Sequence, residues 1–90
     1  MVAAVTGTED FGVIEPGTIK FSNRIDPDLG DNPPITLGVE RSDPPPDEKH
    51  VPLLTVMYEA DKKSFRIAVT LLAPNGALQA LVVRWWALKV

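Results

Sequence analysis

Apolar and polar positions alternate with a period of two over much of this chain. In Gly17-Thr18-Ile19-Lys20-Phe21-Ser22, Ile19 and Phe21 share one face, with Thr18 and Lys20 on the other. In Ile35-Thr36-Leu37-Gly38-Val39-Glu40, one face holds Ile35, Leu37 and Val39. In Ser64 to Leu71 it holds Phe65, Ile67, Val69 and Leu71. This spacing predicts strands with one buried face each. No stretch keeps the i, i+3, i+4, i+7 spacing of an amphipathic helix.

Two further stretches are apolar on both faces. Val51 to Tyr58 places Leu54, Val56 and Tyr58 on one side and Leu53 and Met57 on the other. Ala80 to Leu88 places Leu81, Val83, Trp85 and Ala87 on one side, and Val82, Trp86 and Leu88 around Arg84 on the other. Strands apolar on both faces are normally covered on both sides. In so short a chain, the second cover is expected to be another subunit. Trp85 and Trp86 are adjacent, so one is predicted inside and one outside.

The turns fit antiparallel strands. Ala60-Asp61-Lys62-Lys63 is a short polar connection, and Asn75-Gly76 is a strong hairpin signal because both residues tolerate positive φ. The last three strands are therefore predicted to form a meander. The earlier strands join it through proline-rich loops near residues 23–34 and 42–50, and a further strand is expected at 3–6 or 11–14. The resulting class is all-β, five or six antiparallel strands in a single domain covering residues 1–90.

Composition sharpens this picture. The 90 residues include nine prolines and no cysteine, so disulfides and thiolate metal sites are excluded. His50 is the one histidine, which rules out a histidine-rich zinc site. Residues 1–50 hold ten acids against four bases, and residues 51–90 two acids against five bases. The overall charge of −3 argues against nonspecific nucleic-acid binding. No basic leader or apolar run of the ~18–20 residues that cross a bilayer is present, so a soluble chain without signal peptide or membrane insertion is expected.

Candidate chemistry is sparse. Asp26, Asp28 and Asp31 cluster oxygen donors of the kind calcium prefers, but the spacing is not that of an EF-hand loop. Because Asp and Asn also favour turns, a solvated turn is the preferred reading, with no metal or cofactor required. Asp10 paired with Glu15 or Asp61 offers a hydrolase dyad on paper, yet no spacing selects such a pair. Pro44-Pro45-Pro46 reads as a stiff loop. The expectation is a non-enzymatic module whose oligomer interface uses Met57, Val82, Arg84, Trp86 and Leu88. In that reading Arg84 caps Trp86 or pairs with an acid on a neighbouring chain.

The order of elements carries a resemblance. Gly17-Thr18-Ile19-Lys20-Phe21 leads into Pro33-Pro34-Ile35-Thr36-Leu37-Gly38-Val39, with Asp43 following. Then come Ser64-Phe65-Arg66-Ile67-Ala68-Val69 and Val82-Val83-Arg84-Trp85-Trp86-Ala87-Leu88. Over about residues 12–90 this resembles the H-type lectin domain of snail agglutinins and discoidins. The resemblance implies a six-stranded antiparallel β-sandwich, a homotrimer, and sugar binding near the protomer contacts. It offers Asp10 as a counterpart of the family's amino-terminal aspartate. The family's aromatic and histidine places fall near Leu72 and Ala73, and the strand at 51–58 lacks the family's arginine. Carbohydrate contacts are therefore expected from Asp10, Asn75 and Gln79. The chain also looks like modules at bacteriophage tail tips. The expected partners are thus itself and a surface glycan or protein, in a virion or extracellular setting. The alternative is a purely structural tail or decoration component.

Overall fold

A computed structural model describes residues 3–43, 45, 51–71 and 77–89. Six strands form: β1 (Ala3–Asp10), β2 (Ile19–Phe21), β3 (Ile35–Asp43), β4 (Pro52–Tyr58), β5 (Phe65–Leu71) and β6 (Ala80–Lys89). They make two antiparallel three-stranded sheets, ordered β1-β6-β3 and β2-β5-β4. The fold is all-β and sandwich-like. No helix among the described residues is long and apolar enough to cross a membrane.

The alternation in the sequence explains the core. β5 turns Phe65, Ile67, Val69 and Leu71 inward, and β6 turns Leu81, Val83, Trp85 and Ala87 inward; all eight are buried. Phe11, Ile14, Ile25 and Leu78 fill the ends of the same apolar cluster. The Phe65 and Trp85 rings meet edge to face at 5.5 Å between centroids, joining the two sheets. Trp85 is 7% exposed and Trp86 38% exposed, so the adjacent indoles do take opposite faces.

The link between β4 and β5 is the short polar turn read from the sequence. The Asp61 carboxylate accepts the N–H groups of Lys63 and Ser64 at 2.9 and 3.0 Å, and Lys62 takes the left-handed conformation at φ 65°. Arg24 adds an ion pair to Asp61 at 2.7 Å. These donors hold the Asp61 carboxyl below its usual range, with the Lys63 N–H the largest influence.

Three expectations are corrected. The last three strands do not form a meander, because β6 leaves the sheet of β4 and β5 to stand between β1 and β3. The reason is steric. β5 already has β2 on one edge and β4 on the other, so it has no free edge for β6. The amino-terminal strand runs through Asp10 instead of stopping at Thr6, and Ile14 makes only an isolated bridge to Leu78. Ile19 and Phe21 face outward, not into the core.

The inversion of β2 follows from its register. Ile19 stands opposite Thr70 and Phe21 opposite Ala68, both on the outer face of β5, while Lys20 stands opposite the inward Val69. At the sheet edge, Lys20 reaches the rim with its long side chain and donates from Nζ to the carbonyls of Phe11 and Val13. Alternation told which residues share a face, but on this exposed edge strand it is Lys20, with carbonyl partners at the rim, that takes the side of Val69.

Candidate functional site

The outer row of β6 is the most distinctive surface. β6 is the central strand, so Val82, Arg84, Trp86 and Leu88 run down the middle of the β1-β6-β3 sheet. β1 flanks the row with Ala4, Thr6, Thr8 and Asp10, and β3 flanks it with Thr36, Gly38 and Arg41. Gly38 matters here. A Cβ at that position would lie 3.3–3.4 Å from Cζ3 and Cη2 of Trp86, so the missing side chain leaves room for this part of the indole beside β3.

Arg84 is satisfied within its own chain. Its Nε and Nη2 donate to both Glu40 carboxylate oxygens at 2.8 and 3.0 Å, a bidentate geometry, and Nη1 donates to Thr6 Oγ1 at 3.3 Å. The Arg84 guanidinium lowers the Glu40 carboxyl and is itself raised. The acid that balances Arg84 is thus one of its own chain, Glu40. Glu40 and Gly38 went unnoticed in the sequence. The alternation puts positions 36, 38 and 40 on one face, but only the pairing of β3 with β6 sets that face beside Arg84's row.

The five expected interface residues do not form one surface. Val82, Arg84, Trp86 and Leu88 come together, whereas Met57 sits on the outer face of the other sheet. There Met57 joins Leu53, Ile19 and Phe21, all about half exposed.

The expected carbohydrate residues are partly placed. Asp10 ends β1 opposite Val82, and Gln79 precedes β6 with its N–H on the Asp43 carbonyl, so both lie at one end of the same sheet. One Asp10 carboxylate oxygen is engaged by the Gly12 N–H at 2.9 Å. Asn75 lies outside the described residues, as do His50, Leu72, Ala73 and the Asn75-Gly76 turn. The Asp26 carboxylate accepts the Asp28 N–H at 2.9 Å, and Asp28 adopts φ 58°, so this loop uses its acid to fix a turn. Among the described residues, no three acids converge as a metal-holding group, and no pocket opens.

One carboxylate stands apart. Glu9 faces the core side of β1 opposite the buried Val83, and desolvation raises its pKa. A raised carboxyl binds its proton more tightly in the folded state. The charged form therefore costs stability, and this cost grows as pH rises through the folded pKa. Glu9→Gln is expected to melt at a higher temperature than the parent at pH 7. The difference should vanish as pH falls into the carboxylate range. Thermal melts by circular dichroism across pH 3–8 check this, and a Glu9→Gln protein no more stable than the parent at pH 7 would contradict it.

Comparison with known proteins adds no relative: no family model, curated protein or solved structure matches this chain.

Proposed function

We propose that this chain is a non-enzymatic six-stranded β-sandwich that works by protein–protein association, as a self-assembling component of a larger particle. The observation that carries the reading is the outer row of β6. It presents Trp86 and Leu88, both more than a third exposed, around an arginine whose charge Glu40 already balances. Tryptophan is enriched at the buried centres of protein contacts, and a neutralised arginine can be covered at lower desolvation cost than a free one. The H-type lectin resemblance supplies the assembly number, a trimer, and the tail-tip resemblance a setting on a virion surface.

Light scattering after size exclusion tests this reading. The expected result is a particle several times the 9.8 kDa of one chain. Replacing Trp86 and Leu88 together by serine is expected to lower the mass while leaving the far-ultraviolet spectrum of a β protein. A parent protein that runs as a monomer at all concentrations overturns the proposal.

A lectin function is the second reading. It is favoured by Asp10 and Gln79 sharing one end of the β1-β6-β3 sheet, where among the described residues only one Asp10 carboxylate oxygen accepts a hydrogen bond. A glycan array with the parent and an Asp10→Ala variant separates the two. Signal that depends on Asp10 supports the lectin reading, and silence leaves assembly.

A further inference from the structure

Each sheet has two edge strands, and an exposed strand edge is a template for pairing unless something blunts it. Three of the four edges are blunted. β1 carries Glu9 pointing toward the core. β2 is only three residues long and carries Lys20 on its core side. β3 breaks register between Val39 and Arg41, a bulge-type irregularity next to Glu40. β4 has none of these devices. Its sequence Pro-Leu-Leu-Thr-Val-Met-Tyr holds no charge, keeps register throughout, and has proline only at its first position.

The hydrogen-bond polarity of β4 can be read from the hairpin. Glu59 N–H donates to the Ser64 carbonyl at 2.9 Å, so the Glu59–Ser64 rung is bonded. Alternation then makes Met57–Arg66, Thr55–Ala68 and Leu53–Thr70 the bonded rungs of the β4–β5 ladder. Phe65 agrees, since its N–H and C=O turn away from β4 to exchange bonds with Ile25. Leu54, Val56 and Tyr58 therefore aim their N–H and C=O groups at the free edge. No described strand pairs with them there.

We infer that β4 pairs with β4 of a second copy, antiparallel about a two-fold axis at Thr55, joining two β2-β5-β4 sheets into one. The strand is self-complementary in this register. Leu54 and Val56 exchange main-chain bonds with Val56 and Leu54 of the other copy, and Tyr58 N–H donates to the other Pro52 carbonyl. On the outer face, Thr55 meets Thr55, and Leu53 meets Met57, at the non-bonded rungs where side chains approach most closely. A charge on the axis would face itself, and β4 is the one strand of the six without a charged residue. The half-exposed Leu53 and Met57 thereby gain apolar neighbours. This contact accounts for Met57, which the β6 face does not reach. It stands on different residues from the proposed assembly face and does not depend on it.

The experiment is done in the Trp86→Ser/Leu88→Ser background, which removes the other contact. The expected mass is then twice 9.8 kDa. Thr55 is exposed, so Thr55→Lys and Thr55→Glu should each fold as the parent does. Like charges on the axis are expected to raise the dissociation constant by roughly tenfold or more, giving a monomer. Mixing the two variants should restore the dimer, because lysine then faces glutamate. In hydrogen exchange, the amides of Leu54, Val56 and Tyr58 should be protected in the dimer and lose protection in either variant alone.

A background protein that is already monomeric overturns the inference, and so does a Thr55→Lys protein that remains dimeric. Mixed variants that stay monomeric overturn it too. An edge reserved for a foreign strand gives the first of these outcomes. Failure of the assembly face reads differently: the parent itself is then the dimer, and serine at positions 86 and 88 changes nothing.

Discussion

Replacing Trp85 with alanine is expected to unfold most of the protein at moderate temperature. Trp85 is the largest inward side chain of the central strand β6 and touches Phe65 of the other sheet across the core. Truncating a buried aromatic to alanine costs about 3–5 kcal/mol. A domain of this size is stable by only about 0.05–0.15 kcal/mol per residue, so the loss is a large share of the whole. At about 4–8 °C per kcal/mol, the melting temperature should fall by at least ~12 °C. Trp85→Phe should cost less than alanine for a specific reason. The indole N–H of Trp85 is buried with no acceptor among the described residues, and a phenyl ring carries no such donor. Calorimetry on the three proteins checks the order. A Trp85→Ala variant that melts within a few degrees of the parent would show that the ring is not the joint between the sheets.

The second large effect is expected from the smallest possible change, Gly7→Ala. Gly7 stands opposite Trp85 on β1, and a Cβ there would lie 2.6–2.9 Å from Cζ2, Cε2 and Nε1 of the indole. Such a distance cannot persist, so the ring or the strand must move. The ring has little room to retreat, because it is buried and packs edge to face with Phe65. Overpacking of this kind costs about 1–3 kcal/mol. Gly38→Ala is the natural control. Its Cβ would meet the outward Trp86 ring at 3.3–3.4 Å, where the indole is free to shift toward solvent. That variant should stay within about 0.5 kcal/mol of the parent, the range usual for surface positions. Equal losses from the two alanines would remove the distinction drawn between the two rings. Double variants sharpen the test, since Gly7→Ala should recover most of its loss when Trp85 is also shortened to leucine.

These two positions also show what could be read from the sequence. The alternation from Leu81 to Leu88 assigned Trp85 and Trp86 to opposite faces, and named the buried set of β5 and β6. It could not tell that Gly7 lies under one ring and Gly38 beside the other, because neither contact is near in the chain. The sheet assignment of β6 failed for a similar reason. Turn signals describe the local path, whereas partner choice depended on β5 having both edges occupied. The Ile19 and Phe21 face was misread because a lysine on a short edge strand can point inward and still reach carbonyl partners at the rim. For the candidate surface, the row from Val82 to Leu88 was legible, and the placing of Met57 on the other sheet was not. Apolar residues on both faces of two strands say that each strand has an outer apolar row, but not that the two rows belong to different sheets.

The place of β6 has a kinetic consequence. It is the centre of its sheet, yet both of its neighbours precede it in the chain, and Ala3 must meet Lys89 for β1 to find its register. Until residues 80–89 are made, β1 and β3 have no common partner, while the β4–β5 hairpin can already close through its short turn. The molecule should therefore fold from the hairpin outward, with β1 docking late and against the full loop-closure entropy of the chain. Stopped-flow refolding is expected on the millisecond-to-second scale usual for sheets built from distant segments. Destabilising changes in β1 should then appear chiefly as faster unfolding, and those in the β4–β5 hairpin as slower folding.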